Sequence, residues 1–484
     1  MSAPCLIRTV LDMSVRFSRR KVSAHKAKER VKMVRDLSTV ASRRMQRISS
    51  ELWGMTRSWN FARCFMAWMS PLLFCAFGGL ASELPPLPRD DARLATVLFH
   101  PTDLPIAPPV VPLNHPNPLG HLTLRFDQLE GQDVYWEARV VHCNKDWQPS
   151  DLEPSEYIQG FYSTPIEDME GSFGTKVDFT HYALTLPNND LQWTLSGNYL
   201  LEVFDPNDPD VPAITRRFVV FEDLCSVEAS VVEPSDIALR RTHQEIQCLV
   251  AETTYSLSDP YDRLHVSVVP NWRWDRCIRS LPPRFVKGTE IDFQRSGYVF
   301  EGGNTQRFID LKGLEFTARG LQRLEERSDS WHAFLSPLKR RTYDYFGGGQ
   351  DIHGAMVTHN DRLEVYTGSD YIHTHWRLEA PNPLVGRDLF VVGAFTQHQC
   401  MPEFQLSYDA AQQAYTHTAL LKQGYMDFML VARDAGAAAG DPGSLLDLEG
   451  SHFQTNNLYT VVVHYEDWDG YDRVIGLAQW ESNP

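Results

Sequence analysis

Apolar and polar residues alternate with period two along most of this chain. Val134, Trp136, Ala138 and Val140 fall on one side of a stretch whose other side is Tyr135, Glu137 and Arg139, the pattern of a strand with one buried face. Shorter runs of the same kind are Leu94 to Leu98, His121 to Phe126, Tyr182 to Leu186, Asn198 to Phe204 and Arg216 to Phe221. In Asn198 to Phe204 both sides are largely apolar, as for a strand covered on both faces. Further on, Val227, Ala229 and Val231 alternate, then Ile246, Cys248 and Val250, then Leu264, Val266 and Val268 against His265 and Ser267. Phe285, Phe300, Phe308, Phe316 and Tyr343 mark continuing strands, and Asp388 to Phe395, Tyr415 to Leu421, Asp427 to Ala432 and Tyr459 to Tyr465 complete the series. Turn signals such as Asp205-Pro206-Asn207-Asp208-Pro209-Asp210 punctuate it. Short strands at this spacing, without helical periodicity between them, predict an all-β protein of tandem immunoglobulin-like β-sandwich domains.

The boundaries follow from the composition shifts. Residues 1–81 are a leader, 82–222 a first sandwich after a proline-rich lead-in, 223–362 a second β-rich unit, and 363–484 a third. Gly347-Gly348-Gly349 and the polar run to Arg362 form a connector, and Ala435 to Gly443 is a small-residue loop expected to be mobile.

The leader holds one apolar run, residues 64–80, with Arg57 and Arg63 upstream and Gly79-Leu80-Ala81 supplying the small residues a signal peptidase reads. Pro71 interrupts it and no stop-transfer charge follows, which predicts a cleaved secretory signal and no membrane anchor. Phe74 before Cys75 is wrong for a lipoprotein signal. Residues 1–54 make an unusually long basic n-region; a true start at Met55 would shorten it to normal length.

Charge sharpens the picture. The chain carries net −16, but residues 1–81 hold 15 Lys and Arg against 4 Asp and Glu, leaving the rest at −27. A body that acidic excludes nucleic-acid backbone as the expected partner, since like charges repel. Of eight cysteines, Cys143, Cys225, Cys248, Cys277 and Cys400 survive cleavage, an odd set without CxxC spacing, so neither a metal framework nor a disulfide scaffold is expected.

The least regular stretch is the most informative. After the strand ending at His142 comes Cys143-Asn144-Lys145-Asp146-Trp147-Gln148-Pro149-Ser150-Asp151-Leu152-Glu153-Pro154-Ser155-Glu156-Tyr157, an ordered loop whose Trp147 and Tyr157 have the character of contact residues. The plainer reading is that these aromatics cap the sandwich end. This stretch resembles the "HC-x-x-DWQPS-x-L-x-PSEY" segment of the type IX secretion system plug family. Thr180-His181-Tyr182-Ala183-Leu184-Thr185-Leu186-Pro187-Asn188, Leu195-Ser196-Gly197-Asn198-Tyr199-Leu200-Leu201, Thr215-Arg216-Arg217-Phe218, Leu239-Arg240-Arg241-Thr242-His243-Gln244-Glu245, Pro283-Arg284-Phe285-Val286, Gly302-Gly303-Asn304 and Leu421-Lys422-Gln423-Gly424-Tyr425 follow in the family's order. The resemblance runs from about residue 95 to the end. It implies a non-catalytic periplasmic protein that docks on the outer-membrane β-barrel translocon and closes its periplasmic opening. Partner-binding candidates are Trp147 and Tyr157, with His181 and Tyr182 beside them.

The third unit resembles immunoglobulin-like glycogen-binding modules through Val391-Val392-Gly393-Ala394-Phe395 and the Lys422-Gln423-Gly424-Tyr425 turn. That offers an alternative, an exported carbohydrate-binding protein stacking sugars on Trp376, Trp468 and Trp480. His398 stands where a stacking tryptophan would be expected, against the alternative. No G-x-S-x-G, H-E-x-x-H, phosphate loop or dinucleotide fingerprint is present, so neither an enzyme nor a cofactor is expected. His373 and His375 share a strand face, a legitimate zinc pair lacking a third ligand in the sequence. Asp467, Asp469 and Asp472 around Gly470 could offer oxygens to calcium but read more simply as an acidic hairpin. Arg216-Arg217 and Arg240-Arg241 could grip acidic groups of a partner or of this chain.

Overall fold

The computed structural model describes residue 84 and residues 87–482, apart from 115–119, 130–133, 295–296, 316, 364–365, 439 and 469. The leader, its signal segment and the Met55 start lie outside the described residues, as do Phe316 and Asp469. Within the described residues the protein is all-β, and no helix among them is long and apolar enough to cross a membrane.

The alternation at Trp136, Ala138 and Val140 does what it predicts. All three side chains are buried, while Tyr135 on the other side is exposed. They belong to a first sandwich of two antiparallel-dominated sheets. One has the order Leu94–Pro101, Leu122–Gln128, Thr180–Leu186, Asp168–Gly171. The other has Val110–Pro112, Pro212–Phe221, Gly197–Phe204, Glu137–Cys143, Thr164–Pro165. Their inner faces share one core, centred on Phe126, Trp136, Tyr182, Tyr199, Leu201 and Phe218.

The other two cores are not contiguous in sequence. The second sandwich pairs Cys225–Val232 with His243–Glu252 and the short strands after them. Its facing sheet has the order Ile278–Arg279, Leu264–Pro270, Leu458–Glu466, Asp472–Glu481. Val461, Val463, Tyr465 and Ile475 therefore pack with Ile246, Val250 and Val266. The third sandwich is a single sheet that turns back on itself, running from Arg307–Asp310 through Gly424–Asp434, Arg387–Gly393, Gln405–Asp409, Ala414–Lys422 and Tyr371–Glu379 to Trp331–Leu335 and Leu321–Glu326. Its core joins Ile309, Leu321 and Leu335 to Trp376, Leu389 and Leu430. The contiguous spans 223–362 and 363–484 are thus corrected: residues 307–358 contribute strands to the third sandwich and 458–481 to the second. The physical reason is register. The apolar residues of Leu458–Glu466 find their hydrogen-bonded partner in Leu264–Pro270, with Val461 opposite Val268 and Val463 opposite Val266.

Candidate functional site

The loop after Cys143 is shaped by its own polar groups. Asn144 Oδ1 accepts the backbone N–H of Asp146 (2.9 Å) and of Gln148 (3.0 Å), an Asx turn, and Ser150 N–H returns to His142 C=O at 2.9 Å. Trp147 sits at φ 61, a left-handed conformation that costs a non-glycine residue about 1–2 kcal/mol and persists only where packing holds it. Here packing does. The Trp147 ring meets Trp274 edge to face with centroids 4.8 Å apart, and the Arg217 guanidinium lies 5.1 Å from its centroid. Trp147, Cys143, Val219, Val269, Trp274, Val462 and Val474 form one buried cluster. That cluster lies between the outer face of a first-sandwich sheet and the outer face of a second-sandwich sheet. Lys145 N–H donates to Asp472 Oδ2 at 2.7 Å. Asn198 Nδ2 donates to Asn144 C=O and its Oδ1 accepts from His464 Nε2, each at 3.0 Å. Burial lowers the His142 pKa to about 4 and raises that of Cys143 to about 12, so these two side chains enter the joint uncharged, beside the Arg217 guanidinium.

His181 belongs to a second joint. Its Nδ1 donates to Asp127 Oδ1 at 2.7 Å and its ring stacks on Tyr366. Asp127 also accepts the Tyr371 hydroxyl at 2.7 Å and forms an ion pair with Lys422, both side chains 1% exposed. The Lys422 ammonium lies 4.0 Å from the Phe179 ring centroid. Burial pulls the Lys422 pKa down, against the opposing pull of Asp127. Asp370 closes the joint by accepting the backbone N–H of Lys176 (2.8 Å) and Val177 (3.2 Å). First and third sandwiches are thereby locked by a buried charge pair.

A third joint holds the second and third sandwiches where the chain crosses between them. Gly302 leaves no room for a side chain, since a Cβ there would stand 2.0 Å from His452 C=O. Gly303 N–H donates to Ser451 Oγ at 3.1 Å and Asn304 Nδ2 to Glu449 C=O at 2.8 Å. Gln244, fully buried, donates to Phe453 C=O and Thr455 C=O and accepts from Asn457 Nδ2 and the Tyr459 hydroxyl.

The four residues expected to touch a partner are therefore inside. Trp147, Tyr157, His181 and Tyr182 are 2%, 5%, 7% and 0% exposed. Tyr157 and Tyr182 lie in the first core, Trp147 and His181 in the joints. The structure brings His181 and Tyr182 together on one strand and sets Tyr157 beside His142, with centroids 5.6 Å apart. It offers none of them as a free surface: large aromatics on a loop serve a buried seam as readily as a docking face. The arginine pairs are likewise spent internally, Arg216 on Asp90 through two bonds of 2.7 Å and Arg241 on Asp344 C=O at 3.0 Å. Asp467 pairs with Arg473 and Tyr255, whereas Asp472 accepts from Lys145. Of the three tryptophans proposed for sugar stacking, Trp376 is core, and only Trp468 and Trp480 are exposed, on the second sandwich instead of the third.

The exposed apolar groups of the first sandwich were not singled out by the sequence. Tyr135, Phe161, Tyr162, Met169 and Phe173 are all exposed, Phe161 and Phe173 at 68% and 73%. They fall on or beside Thr164–Pro165 and Asp168–Gly171, each an edge strand of its sheet. Between these edges runs an open groove of about 260 Å³ lined by Thr164, Glu167, Asp168, Asn188 and Asp190 among others. The only sequence signal was the loss of alternation at Phe161-Tyr162. Edge strands with unpaired backbone and flanking aromatics are suited to contact with another chain.

The comparisons with known proteins fit this geometry. Residues 94–222, the span of the first sandwich, match the family model of the type 9 secretion system plug protein 1st domain. A crystal structure of a hypothetical protein from Parabacteroides merdae is similar over 81% of this chain and 98% of its own, at 26% identity and a TM-score of 0.75. No curated protein matches the chain. The first sandwich is therefore similar to the first domain of type 9 secretion system plug proteins.

Proposed function

We propose that this protein is a non-catalytic plug that docks on the periplasmic opening of the secretion translocon barrel and closes it. The observation that carries the reading is the match of a complete, self-cored sandwich to the plug family's first domain. The match of the first sandwich supports a role associated with type IX secretion and a location in the cell envelope; docking, closure and residence in the periplasm are the proposal. Two features support it. Buried joints fix the three sandwiches to one another, and a stopper must keep its shape through repeated binding and release. The exposed aromatics of the first sandwich, Tyr135, Phe161 and Tyr162, supply anchors of the type that dominate protein interfaces.

The test is an affinity pull-down of the exported protein from detergent-solubilised envelope of its source cell. Recovery of a giant outer-membrane barrel, lost in a Phe161→Ala/Tyr162→Ala double variant of unchanged melting temperature, is the expected result. Retention on glycan resin with no barrel recovered would overturn it in favour of a carbohydrate-binding protein.

A further inference from the structure

We propose that His332, His373 and His375 form a binding site for a divalent transition metal of the zinc class on the outer face of the third sandwich. His373 and His375 lie two residues apart on the strand Tyr371–Glu379, so their side chains share a face. The parallel neighbour Trp331–Leu335 places His332 opposite His373. This is the third imidazole that the sequence did not reveal. The His332 ring centroid lies 4.7 Å from that of His373 and 5.2 Å from that of His375, and His332 Nδ1 faces His375 Nε2 at 2.9 Å. His373 and His375 are half-buried, open enough for an ion to enter.

The hydrogen bonds behind the rings set their tautomers. The Ser330 hydroxyl donates to Asp329 Oδ1 at 2.9 Å. Toward His332 Nε2, 3.3 Å away, it can therefore only accept, which leaves the His332 Nδ1 lone pair aimed at His375. The Thr418 Oγ1 stands 2.8 Å from His375 Nδ1 and can donate or accept. Without metal, Thr418 donates to Nδ1 and His375 Nε2–H donates to His332 Nδ1. When the Thr418 hydroxyl rotates to accept, the proton moves to Nδ1 and Nε2 is freed as a ligand. The exchange leaves the imidazole neutral and its proton count unchanged. Such outer hydrogen bonds are what orient metal-binding histidines.

Two nitrogens on a tetrahedral zinc ion stand about 3.3 Å apart for bonds of 2.0–2.1 Å. His332 and His375 need to part by only a few tenths of an ångström from their present 2.9 Å. As they lie, the three rings are stacked rather than converged, and in this arrangement no group of three such ligands among the described residues could hold a metal ion. Capture requires His373 to turn about its Cβ–Cγ bond. Water would complete the coordination.

The experiment is titration of the untagged protein with Co²⁺, read by the visible d–d absorption of tetrahedral coordination, followed by displacement with Zn²⁺. One equivalent is expected, weakened at least 10-fold in His332→Gln, His373→Gln and His375→Gln and about 10-fold in Thr418→Val, a positioning residue. His359→Gln, at a histidine that faces Asp361 and touches none of the three rings, should titrate as the native protein does. Circular dichroism confirms that each variant folds. Absence of a tetrahedral spectrum, or equal titration by the native protein and by folded variants lacking two of the three imidazoles, would overturn the proposal.

Discussion

Replacing Lys422 by Met tests the idea that the sandwiches are locked from inside. In the native protein the Lys422 ammonium and the Asp127 carboxylate are each 1% exposed and meet directly. Methionine keeps most of the volume and removes the charge. Asp127 then retains two donors, the Tyr371 hydroxyl and His181 Nδ1, each at 2.7 Å, but no compensating cation at its side. Breaking a fully buried pair in this way costs about 3–5 kcal/mol, and the two remaining donors place the expectation near the lower figure, about 3 kcal/mol. Neutralising both partners in Asp127→Asn/Lys422→Met removes the stranded charge, so the double variant should be more stable than Lys422→Met, with a coupling of about 2 kcal/mol in the cycle. The assay is urea unfolding followed in parallel by far-ultraviolet circular dichroism and tryptophan fluorescence. Because the pair joins the first and third sandwiches, the single substitution should also separate the two probes into distinct transitions. A shift under about 1 kcal/mol, with coincident probes and additive single effects, would refute the reasoning.

Two further outcomes follow from buried groups. Asp427 is held by the backbone N–H groups of Ile352 (2.6 Å) and Gly354 (3.2 Å), while burial and neighbouring Asp351 raise its pKa from 3.8 to about 7. A carboxyl group raised on folding adds stability that is fully present below the unfolded value of 3.8 and lost as pH rises through 7. That component is at most about 4 kcal/mol, and Asp427→Asn should flatten the stability profile between those limits, as measured by thermal unfolding across pH. Trp147→Ala should destabilise the protein by about 3–5 kcal/mol by opening a cavity between the first two sandwiches, whereas Phe161→Ala should change stability by less than about 0.5 kcal/mol; equal losses of stability in the two variants would contradict the assignment of one to a seam and the other to surface.

The strands were legible in the sequence because a half-buried strand writes its burial directly as alternation; Trp136, Ala138 and Val140 are the clearest instance. The joints were not legible, because they are made of outward faces. Ser267 lies on the polar side of its strand, and nothing in the alternation says that this side meets the first sandwich. The exchange of strands between the second and third units was hidden for a related reason: Tyr459 to Tyr465 would alternate in the same way beside any partner, and only the register with Leu264–Pro270 decides. The aromatics of the Trp147 loop were read outward because a polar loop is usually exposed. The Asx turn and the left-handed backbone at Trp147, which turn the indole inward, are set by the folded loop and not by its composition. The third histidine was missed because strand pairing, not spacing, brings His332 to His373.

The placement of the strands Leu458–Glu466 and Asp472–Glu481 in the second sandwich has a bearing on time as well as space. The strand Leu264–Pro270 lies central in its sheet, yet one of its two neighbours is made only after roughly 190 further residues have been synthesised. At ~5–20 residues per second, that half of the middle core stands open for ~10–40 s, with Val266 and Val268 uncovered. Whatever handles the emerging chain meets a first sandwich able to close at once and a second that must wait. The middle of the molecule cannot finish folding before its last strands have been made.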